Sequence, residues 1–311
     1  MIKESAHDKS KGGQVVAVFG EVLADIFPEQ KVLGGAPFNV ARHLQSFELH
    51  PVMISRTGKD ALREDILREM KRLDMDVSGI QCDRIFPSGQ VRVHMEDGGH
   101  RFEILPDQAY DHIHYGVTHM VTMSLKPDLL YFGTLAQRAM ASRQALKQCI
   151  ADCNCLKFLD INLRSPWYSD YIIGNSLFNA DVVKMNDEEL KIVCDLFSIG
   201  GSAPEVRAQG LMQKFDLSKL IVTCGANGAW LLDDKQQLLN ANPVKMSGDL
   251  VDTVGAGDAF AAVFIIGLLN DWPLDLTLCR ANAFASAICG IRGAVPTHRD
   301  FYVPFIREWT E

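Results

Sequence analysis

Asp252-Thr-Val-Gly-Ala-Gly-Asp258 runs directly into Ala259-Phe-Ala-Ala-Val-Phe-Ile-Ile-Gly-Leu-Leu269, a glycine-rich turn opening an apolar segment. Two glycines let the backbone turn tightly and bring successive N–H groups toward a ligand, and the helix that starts there adds the positive end of its dipole. An anion such as a phosphate fits that turn. The carboxylate of Asp258, in the helix's first turn, then stands beside the anion and within reach of an attacking hydroxyl. The same residues also fit an ordinary helix start with an acidic first turn.

Working outward, Val15-Val-Ala-Val-Phe19 is a continuous apolar run, as expected of a strand buried on both faces. Comparable runs recur at Leu129-Leu-Tyr-Phe132, Lys157-Phe-Leu-Asp160, Asp181-Val-Val-Lys184 and Leu220-Ile-Val-Thr223. Between them lie helical patterns, clearest from Lys59 to Met75, where Leu62, Ile66, Leu67, Met70 and Leu73 form an apolar stripe. This alternation predicts an α/β fold: a doubly wound, mostly parallel sheet with helices on both faces. Gly89-Gln-Val-Arg-Val-His-Met95 and His100-Arg-Phe-Glu-Ile-Leu105 instead alternate in polarity around Glu96-Asp-Gly-Gly99, which reads as a hairpin outside the main sheet. With residues 26–33 it is expected to form a small β-sheet lid, discontinuous over about residues 21–35 and 87–106, that excludes water from the site. Residues 1–13 read as a polar tail and residues 14–311 as the body of the protein.

A net charge of -8 argues against general affinity for nucleic acid or anionic membrane. Eight cysteines in a long chain with no apolar leader at its start fit a reducing cytoplasm better than a disulfide framework. Cys149, Cys153 and Cys155 lack the second pair of a structural zinc site, and His112, His114 and His119 lack a supporting carboxylate arrangement. The longest apolar run falls short of the roughly 20 residues of a membrane span. No Gly-x-Ser-x-Gly or P-loop motif is present, and Gly255-Ala-Gly257 does not continue to a third glycine as a dinucleotide fingerprint does.

Open α/β sheets bind ligands beyond the carboxyl ends of their strands. Polar groups follow there: Gly20-Glu-Val-Leu-Ala-Asp25, Asp160-Ile-Asn-Leu-Arg164, Met185-Asn-Asp-Glu-Glu189 and Cys224-Gly-Ala-Asn-Gly228. Carboxylates and amides grip sugar hydroxyls, and arginine holds phosphate or carboxylate. Each stretch also has a structural reading: Asn186 with Glu189 as a capping pair, Gly225 and Gly228 as turn formers. Gly34-Gly35-Ala-Pro37-Phe-Asn39 is a second glycine-led helix start, whose glycines admit close backbone approach and whose Asn39 offers donor and acceptor to a polyol. Together these groups point to phosphoryl transfer to a hydroxyl.

Gly34-Gly-Ala-Pro-Phe-Asn-Val-Ala-Arg42 and Asp252-Thr-Val-Gly-Ala-Gly-Asp-Ala-Phe260 resemble, in order and separation, the paired signatures of the ribokinase-like (PfkB) carbohydrate kinases. The resemblance runs from about Val15 to Pro296 and includes the Gly-Glu-x-x-x-Asp opening and the Asp-x-Asn-x-Arg, Asn-x-x-Glu and Thr-x-Gly-x-x-Gly turns. It implies an ATP-dependent sugar kinase whose partners are ATP and a small sugar. Asp258 matches the family's base, and Gly255, Ala256 and Gly257 its anion hole. The resemblance places Asp25, Gly34, Gly35 and Asn39 around the sugar and Arg164 near the sugar or the transferred phosphate. Thr223, Gly225, Gly228, Asn282 and Ala285 resemble nucleotide contacts. Asn186 and Glu189 look like the pair that organises Mg²⁺ through water, and Asp252 and Thr253, with the backbone of residues 289–293, resemble a K⁺ loop of some members. The motifs are most similar to those of fructokinases, although Ala24-Asp25-Ile-Phe-Pro and Pro87-Ser-Gly-Gln-Val depart from that pattern, so 2-keto-3-deoxygluconate, ribose or a nucleoside stays open as acceptor. A silent sugar or nucleotide sensor on this fold and a nicotinamide oxidoreductase are the rival readings; retention of Asp258 speaks against the first and the missing third glycine against the second. Unpaired edges of the lid sheet favour a homodimer.

Overall fold

The computed structural model describes residues 13–96, 99–244 and 250–310. Most of the expected tail (1–12) and the middle of the expected hairpin turn (97–98) therefore lie outside the described residues. In chain order the elements are β1 (Val15–Phe19), β2 (Leu23–Ile26), β3 (Lys31–Gly34), α1 (Ala36–Ser46), β4 (His50–Gly58), α2 (Ala61–Arg72), β5 (Ile80–Asp83), β6 (Gly89–Glu96), β7 (Gly99–Ile104), α3 (Tyr115–Leu125) and β8 (Leu129–Gly133). There follow α4 (Met140–Asp152), β9 (Leu156–Asp160), α5 (Asp170–Phe178), β10 (Val182–Asn186), α6 (Asp187–Leu196), α7 (Pro204–Phe215), β11 (Lys219–Thr223), β12 (Ala229–Asp233), β13 (Leu238–Ala241), α8 (Ala256–Leu269), α9 (Leu274–Ile288) and α10 (Val303–Thr310).

The main sheet has the order β13-β12-β11-β10-β9-β8-β1-β4-β5. From β11 to β5 all neighbours are parallel, and β12 and β13 close one edge antiparallel. Strand alternation divides the core: Val16 and Val18 of β1 face the layer of α1, α8 and α9, while Ala17 and Phe19 face the layer of α4 to α7. All four are 0–1% exposed, so the strand is covered on both sides. Helix α8 is apolar nearly all round, with Ala259 to Ile266 buried, because it lies inside one of those layers. Among the described residues no helix is long and apolar enough to cross a membrane.

Helix α2 is shorter than its apolar stripe. Asp60 caps its start, accepting from the Arg63 N–H at 3.0 Å, and Asp74 beyond its end takes a left-handed conformation (φ 55°).

The expected hairpin forms a separate four-stranded sheet in the order β3-β2-β6-β7. Its outer pairs are antiparallel and β2 runs parallel to β6. The register puts Asp25, Val32, Val91 and Ile104 on one face and Lys31, Arg92 and Glu103 on the other. Asp25 therefore belongs to the less polar face. Since β3 leads directly into α1, the small sheet and the second glycine-led helix start are one continuous piece of chain.

Candidate active site

Because β1, β8, β9, β10 and β11 are parallel, their carboxyl ends share one edge, where Glu21, Asp160, Asn186 and Thr223 gather. Helix α8 begins there. Its N-cap is Gly255, at φ 82°, a conformation that costs a side-chain-bearing residue, and an added Cβ would collide with the backbone of Ala294. In the helix's first turn the N–H groups of Gly257 and Asp258 have no intrahelical carbonyl to bond, so they remain donors beside the dipole's positive end.

Asp258 lies in that turn, as expected, and it is held from α1. Asn39 Nδ2 donates to Asp258 Oδ2 at 2.7 Å. Asn39 is itself fixed by its own helix, its N–H donating to Gly35 O at 2.9 Å, and by Arg42, whose Nη2 donates to Asn39 Oδ1 at 2.5 Å. Burial raises the Asp258 pKa to about 6; the Asn39 hydrogen bond opposes the rise, Asp160 adds to it, and Lys184 and Arg164 oppose it. A carboxylate at that value is a competent proton acceptor near neutral pH.

Asp160 and Lys184 are partners in register on β9 and β10. Lys184 Nζ donates to both carboxylate oxygens, at 2.9 and 3.0 Å, and the Tyr131 hydroxyl donates to Oδ2 at 3.3 Å. Asp160 is 1% exposed and both of its oxygens are engaged, so it anchors a cation beneath the α8 turn. Lys184 Nζ comes within 3.4 Å of where a Cβ on Gly257 would stand. Burial would lower the Lys184 pKa, but Asp160 outweighs it and holds the ammonium above its usual value.

On the other flank, Asp25 is half-buried and its pKa rises to about 6, through burial with Arg164 opposing. Gly34 leaves the Asp25 carboxylate 3.4 Å from its Cβ position. Gly35 takes φ 102°, and a Cβ there would lie 2.7 Å from Glu21 O, so the glycine makes room for Glu21 rather than only for a ligand. Arg164 is exposed after β9, where its charge acts on Glu21, Asp25 and Asp258 together. These groups thus form one cluster.

Glu21 was not singled out from the sequence. It is 5% exposed, and burial pushes its pKa up to about 7, with Arg164 and Arg138 opposing and Asp258 adding to the rise. Its signal was its place two residues after β1, in Gly20-Glu21. A carboxyl whose folded pKa exceeds its unfolded value holds its proton better when folded, so stability falls as pH rises between about 4.5 and 7. Glu21→Gln is therefore expected to stabilise the protein at pH 8 by up to about 3 kcal/mol and to have little effect at pH 4.5. Urea unfolding at the two pH values measures the difference; an equal effect at both would refute the assignment.

Asn186 ends β10 and caps α6, accepting from the Glu189 N–H at 2.7 Å. Glu189 Oε2 accepts from the Asn186 N–H at 2.9 Å and Oε1 from the Leu163 N–H at 2.7 Å, so the capping box is real and both oxygens are engaged. Thr223 neighbours Asn186 in register. Gly225 and Gly228 lie in the turn between β11 and β12, where the Cys224 N–H donates to Gly228 O at 2.8 Å. Asn282 on α9 donates to Asn242 O at 2.9 Å beside that turn, and Ala285 follows on the same helix, partly buried. Asp252 joins two loops: Oδ1 accepts from the Val254 N–H at 3.0 Å and Oδ2 from the Gly293 N–H at 3.1 Å. Thr253 is exposed, and its carbonyl accepts from the Ala256 N–H at 3.3 Å. Among the described residues no group of three or more His, Cys, Asp or Glu could hold a metal ion. His119 has a carboxylate partner that the sequence reading did not give it, Asp152 at 2.8 Å at the surface, and the eight cysteines are free.

Residues 16–299 match the pfkB family of carbohydrate kinases. The chain is a pfkB family carbohydrate kinase. As such it is a phosphotransferase on the ribokinase-like fold. The fructokinase of Salmonella typhimurium is 26% identical to this pfkB kinase over 293 residues, covering 88% of this chain and 91% of its own. An uncharacterized sugar kinase of Pyrococcus horikoshii superposes with a TM-score of 0.79 at 25% identity, over 95% of this chain and 99% of its own. A double mutant of the fructokinase of Vibrio cholerae O395, in a form with fructose, ADP and potassium ion bound, superposes with a TM-score of 0.76 at 22% identity, over 95% of this chain and 99% of its own.

Proposed function

We propose that this pfkB kinase transfers the γ-phosphate of ATP to a hydroxyl of fructose, with Asp258 as the base. The observation that carries the reading is the Asn39–Asp258 hydrogen bond, which holds a carboxylate of raised pKa in the same turn as two unpaired helix N–H donors. Asp258 takes the proton of the attacking hydroxyl. The Gly255-Ala256-Gly257 turn stabilises the charge that builds on the transferring phosphoryl group, with the buried Lys184 behind it. Asp25, Gly34, Gly35, Asn39 and Arg164 hold the sugar between the small sheet and α1, and the small sheet acts as a lid that keeps water out. Thr223, Gly225, Gly228, Asn282 and Ala285 border the nucleotide.

Mg²⁺ would enter with the nucleotide phosphates, neutralising their charge, and the absence of a protein metal cluster among the described residues fits that route. Asn186 and Glu189 would orient its waters, since Glu189 has both oxygens engaged with backbone N–H groups. Asp252 and Thr253, tied to the loop at Gly293, are the candidate K⁺ loop, a reading supported by the potassium ion in the Vibrio cholerae fructokinase. Free cysteines support a cytoplasmic setting. The outer edges of β3 and β7, which pair with no further strand among the described residues, support a homodimer through the lid, which light scattering would detect.

The fructose assignment rests on the Gly34 turn and on fructokinases among the relatives. ADP release measured with fructose, ribose, 2-keto-3-deoxygluconate and a nucleoside is the test. Fructose is expected to give the highest kcat/KM; a higher value for any other would move the assignment to that acceptor, and no acceptor-dependent ADP would overturn it.

A further inference from the structure

We propose that Arg42 is a positioning residue for Asp258: its guanidinium decides which end of the Asn39 amide meets the carboxylate. A guanidinium only donates hydrogen bonds. Arg42 Nη2 donates to Asn39 Oδ1 at 2.5 Å, which commits that oxygen and leaves Nδ2 to face Asp258 Oδ2 at 2.7 Å. Turned round, the amide would set an oxygen against a carboxylate and N–H groups against a cation, two repulsions in place of two hydrogen bonds. Asn39 and Arg42 are three residues apart on α1 and so share a face.

Arg42 is itself held. The same Nη2 donates to Leu33 O at 3.0 Å, the guanidinium lies 4.7 Å over the Phe38 ring, and Nη1 stands 3.9 Å from Glu69 of α2. Arg42 is 7% exposed, so this arrangement is sheltered from solvent. One nitrogen thus links β3 of the small sheet to the amide that holds the carboxylate on α8, and a shift of β3 reaches Asp258 through three hydrogen bonds. The other groups that act on Asp258 do so by charge, Asp160 on β9, Lys184 on β10 and Arg164 after β9, while the Asp258 charge in turn raises the pKa of Glu21 after β1 and of Tyr131 on β8. Arg42 has a charge effect on Asp258 as well, so the test must separate charge from orientation.

The functional consequence rests on Asp258 being the base, whereas the hydrogen-bonded chain does not, and the experiment reads the two apart. Full-length protein carrying ¹³C-labelled aspartate is titrated by NMR without ligand, the Asp258 signal being the one missing from Asp258→Asn. The wild-type midpoint is expected at about 6. Arg42→Met and Asn39→Ala should each raise it by about one pH unit, the size expected for loss of one hydrogen bond to a charged group. In the double variant the midpoint should rise beyond that of Asn39→Ala by clearly less than the Arg42→Met shift, because Arg42 then has no amide to orient and only its charge is lost. Shifts that add in the double variant would mean that Arg42 acts by charge alone, and an unmoved midpoint in Arg42→Met would mean that it does not act; either overturns the proposal. If Arg42→Met does not fold, Arg42→Lys replaces it: the lysine keeps the charge but lacks the fork that reaches Leu33 and Asn39, and the same outcomes decide. The acid limb of kcat, measured with fructose and ATP, should move with the NMR midpoint. A midpoint that moves while the limb stays would leave Arg42's role intact and remove Asp258 as the base.

Discussion

Asp258→Asn is expected to lower turnover by about 10²–10⁴, with ATP binding retained. The amide keeps the size of the carboxylate and its place in the first turn of α8 but cannot accept the hydroxyl proton. The wild-type enzyme should lose kcat as pH falls through about 6, the raised value that burial gives Asp258. The sign follows from the role: a base works unprotonated, so activity is present above its pKa and lost below it. Because the substitution also removes a poorly hydrated carboxylate, the variant should be no less stable than wild type at pH 8. Undiminished turnover in a folded Asp258→Asn would require another base, and Glu21, the nearby buried carboxyl with a pKa of about 7, would be the next to test.

The largest stability effect is expected at Lys184. Lys184→Met leaves Asp160 buried with the Tyr131 hydroxyl as its one side-chain partner among the described residues, and breaking such a pair from one side costs about 3–5 kcal/mol. That is a large part of the roughly 5–15 kcal/mol that holds a typical domain together. Removing both charges, as in Lys184→Met with Asp160→Leu, should recover most of the loss, since well-packed apolar residues often replace a buried pair without penalty. Equilibrium urea unfolding of the two single variants and the double measures this. The double should recover stability without recovering full activity, because the cation beneath Gly257 is gone. Equal stability of Lys184→Met and wild type would show that the pair does not bear on the fold.

The fold was largely legible because a parallel sheet covered on both faces needs continuous apolar strands, and β1, β8, β9, β10 and β11 are such runs. Strand β4 escaped notice for the same reason: His50-Pro-Val-Met-Ile-Ser-Arg-Thr-Gly58 mixes polar residues into a buried strand, and Ser55 and Thr57 are fully buried there. The Asp258 turn and the Gly34–Asn39 turn were visible because backbone demands leave glycines in the sequence. Their meeting was not: the Asn39–Asp258 bond spans 219 residues, and only the packing of α1 on α8 creates it. Lys184 and Asp160 carried the wrong signal, since each lies in or at the end of a strand-like run and their pairing depends on the register of β9 with β10. Glu21 stood in plain view after β1, but only burial distinguishes it from a surface carboxylate.

The central claim is transfer of phosphate to a sugar through Asp258, and ³¹P NMR of the protein with ATP, Mg²⁺ and fructose follows that phosphate directly. Growth of a sugar-phosphate signal in step with ADP, absent with Asp258→Asn, is the predicted result; ADP formed with inorganic phosphate alone, or sugar phosphate formed at an undiminished rate by Asp258→Asn, would contradict it.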